Sequence, residues 1–185
     1  ADYVLKHTPG NTVSNLSSSR ALKDVTEAYG QQYHAAAVGE VNVVAEMKRT
    51  HSVIGGEGNG GVIYPESHYG RDALVGVGLF LSHYVAQSKK MTELKSTYPP
   101  YFISKNKMTL SPDMDVDKIL EGLKERYATE KVTDIDGVKI DFAQGWVHLR
   151  KSNTEPIIRI YSEAKDEAAA NQLAEEVIAA AKSTL

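Results

Sequence analysis

The sequence predicts two successive domains: an α/β domain, then a small α+β domain built on an antiparallel sheet. Three observations carry this. Strand-like and helix-like segments alternate through the first half of the chain. The break Pro99-Pro100 ends that alternation. Beyond it the order becomes helix, strands, helix. A chain of 185 residues is long enough for two small domains.

The elements follow in order. ADYVLKHTPG reads as the last turns of a helix stopped by Pro9-Gly10. A chain that opens inside a helix is expected to be a fragment of something longer. NTVSNLSS is a short strand, and SSRALKDVTEAYG a helix with apolar residues at helical spacing and Gly30 as its stop. YHAAAVG is a second strand, EVNVVAEMKRTH a helix and SVIGG a third strand. A glycine-rich loop and the β run VIYP follow, then a turn-like ESHYG. Asp72 caps a long helix from Ala73 to about Lys90, and a shorter one spans Met91 to Thr97. Residues 99–105 are expected to be a linker. DVDKILEGLKERYA is an amphipathic helix. KVTDIDGVKIDF holds two strands around the hairpin signal Asp136-Gly137. GWVHLRKS and PIIRIYSEA are two more strands, and DEAAANQLAEEVIAAAKSTL closes the chain as a helix.

Composition narrows the function. The net charge of −3 carries no basic excess for nucleic acid or an anionic membrane surface. No apolar run approaches the 18 or so residues of a membrane span. There is no cysteine, so disulfides and thiolate metal sites are excluded. That suits a reducing compartment, and a cytoplasmic location is expected.

GEGNGG, residues 56–61, fits the spelling of the dinucleotide fingerprint G-x-G-x-x-G. That fingerprint needs a helix directly after it, because the pyrophosphate sits on the helix N-terminus. Here Val62-Ile63-Tyr64-Pro65 follows, a β run with a proline stop. A kinase glycine loop would need an H-R-D and a D-F-G, and neither is present. The loop instead offers one acid and one amide, Glu57 and Asn59, among glycines that admit a ligand close to the backbone. Acid and amide together suit a polyol, whose hydroxyls both donate and accept. A tight surface hairpin is the plain alternative.

RKSNTEPIIR, residues 150–159, sits between two strands. Arg150 can grip a phosphate with two parallel bonds. Ser152 and Thr154 can each donate a hydroxyl, and inward backbone N–H groups would form an anion nest. A mere polar turn is the alternative. Asp113, Asp115 and Asp117 spell D-x-D-x-D, but Lys118 stands where a calcium loop needs glycine, so helix capping explains these acids better. The six histidines are scattered, with no pair at metal-ligand helical spacing.

The two loops together resemble the α-D-phosphohexomutases, the phosphoglucomutase/phosphomannomutase superfamily that includes phosphoglucosamine mutase. The family has a sugar loop G-E-x-S-G-H in its third domain and a phosphate loop R-x-S-G/N-T-E-P in its fourth. Here they read G-E-G-N-G-G, residues 56–61, and R-K-S-N-T-E-P, residues 150–156, in the same order. V-G-E-V-N-V-V-A-E-M and D-G-V-K-I-D-F also look like the family.

The resemblance implies an α/β domain with a mixed sheet followed by a small α+β domain with an antiparallel sheet and flanking helices. Residues 1–8 would be the tail of a preceding domain, 9–98 family domain 3 and 106–185 family domain 4. It implies a four-domain enzyme with its active site in a cleft between the domains. A phosphoserine there exchanges phosphoryl groups with a hexose phosphate through a hexose 1,6-bisphosphate, assisted by Mg²⁺. Carried over by position, Glu57 accepts bonds from sugar hydroxyls and Asn59 does similar work, while Arg150, Ser152, Asn153 and Thr154 clamp the non-reacting phosphate. Two departures stand out: Asn59 replaces serine, and Gly61 stands where many members have histidine. Neither the serine loop nor the metal loop occurs in the chain. No catalytic or metal residue is therefore expected here, and the missing N-terminal domains would supply both. A hexose phosphate (of glucosamine, mannose or glucose) is the expected ligand. The rival reading is a non-catalytic protein that binds sugar phosphates or other anions.

Overall fold

Three parallel strands begin the first sheet. β1 (Thr12–Asn15), β2 (Tyr33–Ala36) and β3 (Ile54–Glu57) pair in parallel, with β1 in the centre. β4 (Gly61–Tyr64) and β5 (His68–Arg71) then add antiparallel, giving the order β2-β1-β3-β4-β5. The sheet is mixed, as the resemblance implies. The computed structural model describes residues 1–111, 114–152 and 154–183. Within it the chain divides into two units, Ala1–Pro99 and Pro100–Leu185.

Strand alternation sends the two faces of the first sheet to different helices. Val13 and Ile63 point to the face covered by α3 (Glu40–Thr50), where they pack with Ala36, Val43 and Met47. Gly55 must be glycine there: a Cβ would sit against the Met47 sulfur. Thr12 and Val62 point to the opposite face. Thr12 hydrogen-bonds Thr26 of α2 (Ala21–Ala28), and Val62 lies under Gly76 of α4 (Ala73–Gln87). Asp72 caps α4 by accepting from the Val75 N–H at 2.9 Å. α1 (Asp2–His7) packs on this same helical layer. Its Asp2 carboxylate accepts from the Tyr29 hydroxyl at 2.7 Å and from Tyr98, after α5 (Met91–Lys95), at 2.6 Å. The bond to Asp2 pushes the Tyr29 phenol up to about 12. No helix among the described residues is long and apolar enough to cross a membrane.

Two expectations need correction. ESHYG, read as a turn, contributes to β5, an exposed edge strand of four residues. Residues 102–105, expected in a linker, form the first half of β6 (Phe102–Thr109).

In the second unit β6, β7 (Lys131–Thr133), β8 (Val138–Asp141), β9 (Gly145–Lys151) and β10 (Ile157–Ala164) form an antiparallel sheet in the order β6-β10-β9-β8-β7. Its apolar face carries Val138, Ile140, Val147, Leu149, Ile158 and Ile160. These pack with Ile119 and Leu123 of α6 (Val116–Arg126) and Leu173 and Val177 of α7 (Glu167–Lys182). Asp115 opens α6 by accepting from the Asp117 and Lys118 N–H groups, so it serves as a cap. Asp113, the first acid of that run, lies outside the described residues. The β7–β8 hairpin turns at Gly137, whose φ of +68° is a left-handed conformation that favours glycine.

Candidate sugar and phosphate loops

Glu57 ends β3 at the carboxyl edge of the three parallel strands, where open α/β sheets bind their ligands. It lies on the same face as Val13 and α3, by the pairing of Gly55 with Val13 and Ile63. Its side chain is only 4% exposed, so its charge must be compensated. Three segments do this. Asn15, ending β1, donates its Nδ2 to Glu57 Oε1 at 2.9 Å. The Gly39 N–H, just before α3, donates to the same oxygen at 3.2 Å. Gly39 has φ +122°, a conformation that suits glycine and turns the amide toward the carboxylate. Arg71, ending β5, brings Nη1 to 3.4 Å from Glu57 Oε2.

Asn15 is itself pinned. Its Oδ1 accepts from the Ser17 N–H at 3.1 Å and the Ser18 hydroxyl at 2.8 Å. These donors fix which end of the amide faces Glu57. Arg71 is pinned in turn by Glu40, the first residue of α3. Its backbone N–H donates to Glu40 Oε1 at 2.9 Å and its Nε to Oε2 at 2.7 Å. The backbone bond, then the side-chain bond, holds the Glu40 carboxyl below its usual range.

Asn59 sits in the β3–β4 turn and is exposed. Its Oδ1 accepts from the Gly61 N–H at 3.0 Å, so the side chain shapes the turn. It lines a polar recess of about 500 Å³ with Glu40, Arg71 and Asp72. A larger cavity of about 670 Å³ lies on the α2 and α4 side, and Gly60, Gly61 and Val62 border both. The larger cavity is walled mainly by apolar groups such as Leu22, Val25 and Leu79. Glu57 borders the larger cavity, while Asn59 and Arg71 line the polar recess beside it.

The second loop joins β9 to β10. The Ser152 N–H donates to the Ile157 carbonyl at 3.0 Å and closes the hairpin. Inside it the contacts are long: Ser152 Oγ to Thr154 Oγ1, and the Thr154 N–H to Ser152 Oγ, are both 3.4 Å. Both hydroxyls therefore keep bonding capacity for a ligand. Asn153, expected as a phosphate ligand, lies outside the described residues. Arg150 lies directly across from Arg159 in the β9–β10 register, two like charges side by side. Arg159 Nη2 donates to Glu155 Oε2 at 3.0 Å. Arg150 Nε is buried with no hydrogen-bond partner among the described residues. A buried, unsatisfied guanidinium N–H beside a second guanidinium calls for an anion.

The β7–β8 turn braces this loop. His148, two residues before Arg150, is buried and bonds the Asp136 carbonyl through Nε2 at 2.7 Å. A carbonyl only accepts, so Nε2 carries the proton. Burial lowers the His148 pKa to about 4, with Lys139 and Arg150 adding to the shift, so the ring is neutral at pH 7.

The expected residues that are described thus fall into two clusters, one per unit. Sequence reading missed Asn15, Gly39, Glu40 and Arg71 around Glu57, and Arg159 and His148 around Arg150. Gly39-Glu40 at a helix start was the visible signal; the rest meet only through the fold. Among the described residues no group of three or more histidines or acids could hold a metal ion. These residues do not fit a Mg²⁺ site.

Two family models match the chain. The phosphoglucomutase/phosphomannomutase alpha/beta/alpha domain III model matches residues 1–101, and the C-terminal domain model matches 105–180. A phosphoglucosamine/phosphogalactosamine mutase of Sulfurisphaera tokodaii is 36% identical over 89% of this chain and 37% of its own length. A phosphoglucomutase/phosphomannomutase of Thermococcus kodakarensis is 36% identical over 95% of this chain and 39% of its own. The crystal structure of a phosphoglucomutase/phosphomannomutase family protein from Burkholderia thailandensis superposes with a TM-score of 0.80 at 22% identity. It covers 99% of this chain and 40% of that one, and shows the shared fold. The chain spans about two fifths of the length of the curated relatives it matches. It belongs to the phosphoglucomutase/phosphomannomutase family.

Proposed function

We propose that the chain is the ligand-recognition part of a phosphohexomutase that interconverts hexose 1- and 6-phosphates. The first unit reads sugar hydroxyls and the second holds a phosphate. The observation that carries this is the presence of two opposite sites: a caged carboxylate in one unit and, in the other, an arginine whose buried Nε has no partner among the described residues. Glu57 Oε1 is occupied by two donors, which leaves Oε2 to accept from a sugar hydroxyl. Arg150, Ser152 and Thr154 present donors to a phosphate, and Asn153 joins them by its place in the motif.

The chemistry needs a phosphoryl donor. In this reading a phosphoserine in preceding domains gives its phosphoryl group to the free hydroxyl of the hexose phosphate. The resulting bisphosphate turns over and returns its other phosphoryl group to the serine. A substrate that binds in two orientations needs a phosphate clamp indifferent to which end it holds. A loop of a guanidinium, hydroxyls and N–H groups is such a clamp. Mg²⁺ belongs with the donor domains, and the residues described here take no part in holding it. Glucosamine, mannose and glucose phosphates are the substrate candidates, and a cytoplasmic location goes with them.

The test is ³¹P NMR of the intact protein with Mg²⁺, glucose 1,6-bisphosphate and each hexose 1-phosphate. Appearance of the 6-phosphate from at least one sugar, with kcat/KM reduced at least tenfold in Arg150→Ala, is the expected result. Binding of hexose phosphates without any interconversion would instead make this a non-catalytic sugar-phosphate binder.

A further inference from the structure

Arg71 is more than a surface cation. It ends β5 opposite Ile63, which puts it on the α3 face beside Glu57. Its aliphatic stem crosses directly over Gly61. A Cβ on Gly61 would stand 2.5 Å from Arg71 Cδ and 3.1 Å from Cγ. A side chain at position 61 and Arg71 in this pose exclude each other. Glu40 then grips Arg71 at two points, the backbone N–H and Nε, at 2.9 and 2.7 Å. Two grips on one residue fix both ends of the stem. Of the remaining guanidinium nitrogens, Nη1 faces Glu57 Oε2 across 3.4 Å.

That oxygen is the one the other donors leave open, since Asn15 and Gly39 both bond Oε1. A carboxylate held only through Oε1 can still swing Oε2. A fixed cation beside Oε2 sets its direction and offsets its charge. The relay therefore runs from the start of α3 through the end of β5 to the end of β3.

We propose that Arg71 is a positioning residue for sugar recognition, locked by Glu40 and acting through Glu57. The inference rests on the reading of Glu57 as the hydroxyl acceptor. It makes Gly61 a partner in specificity: the glycine is the gap that lets Arg71 reach across the turn. A lysine would not replace Arg71, because one ammonium cannot serve Glu40 and Glu57 with the same fixed fork.

The test is isothermal titration of the intact protein with glucosamine 6-phosphate and with inorganic phosphate. The variants are Arg71→Met, Glu57→Gln, the double variant and Gly61→Ala, each checked for a cooperative unfolding transition. Arg71→Met is expected to weaken glucosamine 6-phosphate about five- to tenfold and to leave inorganic phosphate unchanged. The double variant should bind no more weakly than Glu57→Gln alone, because residues acting as one unit are non-additive. Gly61→Ala should reproduce the Arg71→Met loss by pushing the stem aside, and it decides the matter if Arg71→Met fails to fold. Full additivity of Arg71→Met with Glu57→Gln would overturn the positioning role, as would unchanged sugar affinity in Arg71→Met. If Glu57→Gln alone leaves sugar affinity intact, the reading of Glu57 falls, and the proposal falls with it.

Discussion

The two loops solve opposite problems. Around Glu57 the protein supplies the partners itself: an amide, a backbone N–H and a guanidinium, drawn from two strand ends and a helix start. Around Arg150 a buried Nε has no partner among the described residues, and two hydroxyls stay at long contacts. The first arrangement preorganises an acceptor and spends none of the ligand's binding energy on arranging it. The second holds donors ready, and in the proposed function an anion completes it. The contrast teaches how to read such loops. A residue caged by its own protein offers direction, whereas a residue left unsatisfied offers affinity.

The largest expected effect tests the brace under the phosphate loop. A Cβ on Gly137 would drive into the Leu149 carbonyl and crowd Arg150, at a backbone φ of +68°. Gly137→Ala should cost at least about 2 kcal/mol in urea unfolding of the intact protein, strain and collision together. Wild-type stability would mean that the turn is not held against the loop.

Next comes Arg150 itself. Charge-assisted bonds contribute about 1.5–3 kcal/mol each, so Arg150→Ala should weaken every phosphate ligand at least about tenfold. Sugar phosphates and inorganic phosphate should lose alike in calorimetric titration. A loss confined to sugars would merge the two loops into one function.

The brace also has a pH signature. Burial pushes the His148 pKa down to about 4, from the 6.5 of an exposed imidazole. The unfolded chain therefore binds more protons between these values, and stability rises with pH across that window. Stability from this residue is complete above about pH 6.5 and is lost as pH falls toward 4. At pH 5 the loss amounts to about 2 kcal/mol relative to pH 7. His148→Gln, which can still donate to the Asp136 carbonyl, should flatten that slope in urea titrations at the two pH values. An unchanged slope would remove His148 as its cause.

Smaller effects belong to the first loop. Glu57→Gln should weaken hexose phosphates about tenfold and leave inorganic phosphate untouched. Asn59→Ala removes only the bond to the Gly61 N–H that shapes the turn. It should cost less than about 1 kcal/mol in sugar-phosphate affinity.

Most of the fold could be read from the sequence because its signals are local. Asp72, Asp115 and Asp166 cap the helices they precede, and Gly137 turns the hairpin that Asp136-Gly137 announces. The misses have physical reasons. HYGR makes an edge strand of four residues without an apolar alternation, so β5 resembled a turn. β6 buries Ser104 and Met108 rather than a run of branched residues, and it follows two prolines. The candidate site was half legible. Glu57 stands out as an acid among glycines, and Arg150 because it opens the polar stretch R-K-S-N-T-E-P between two apolar strands. Asn15 and Arg71 do not, because their roles exist only after parallel pairing brings β1 to β3 and the β4–β5 hairpin folds back.

One titration separates the roles of the two loops. The isotope-labelled chain would be titrated first with inorganic phosphate and then with glucosamine 6-phosphate, with amide shifts followed by NMR. Shifts at residues 150–156 with both ligands, and at 57–61 with the sugar phosphate alone, are the predicted result. Inorganic phosphate moving residues 57–61 as strongly as 150–156, or a sugar phosphate that moves neither loop, would contradict it.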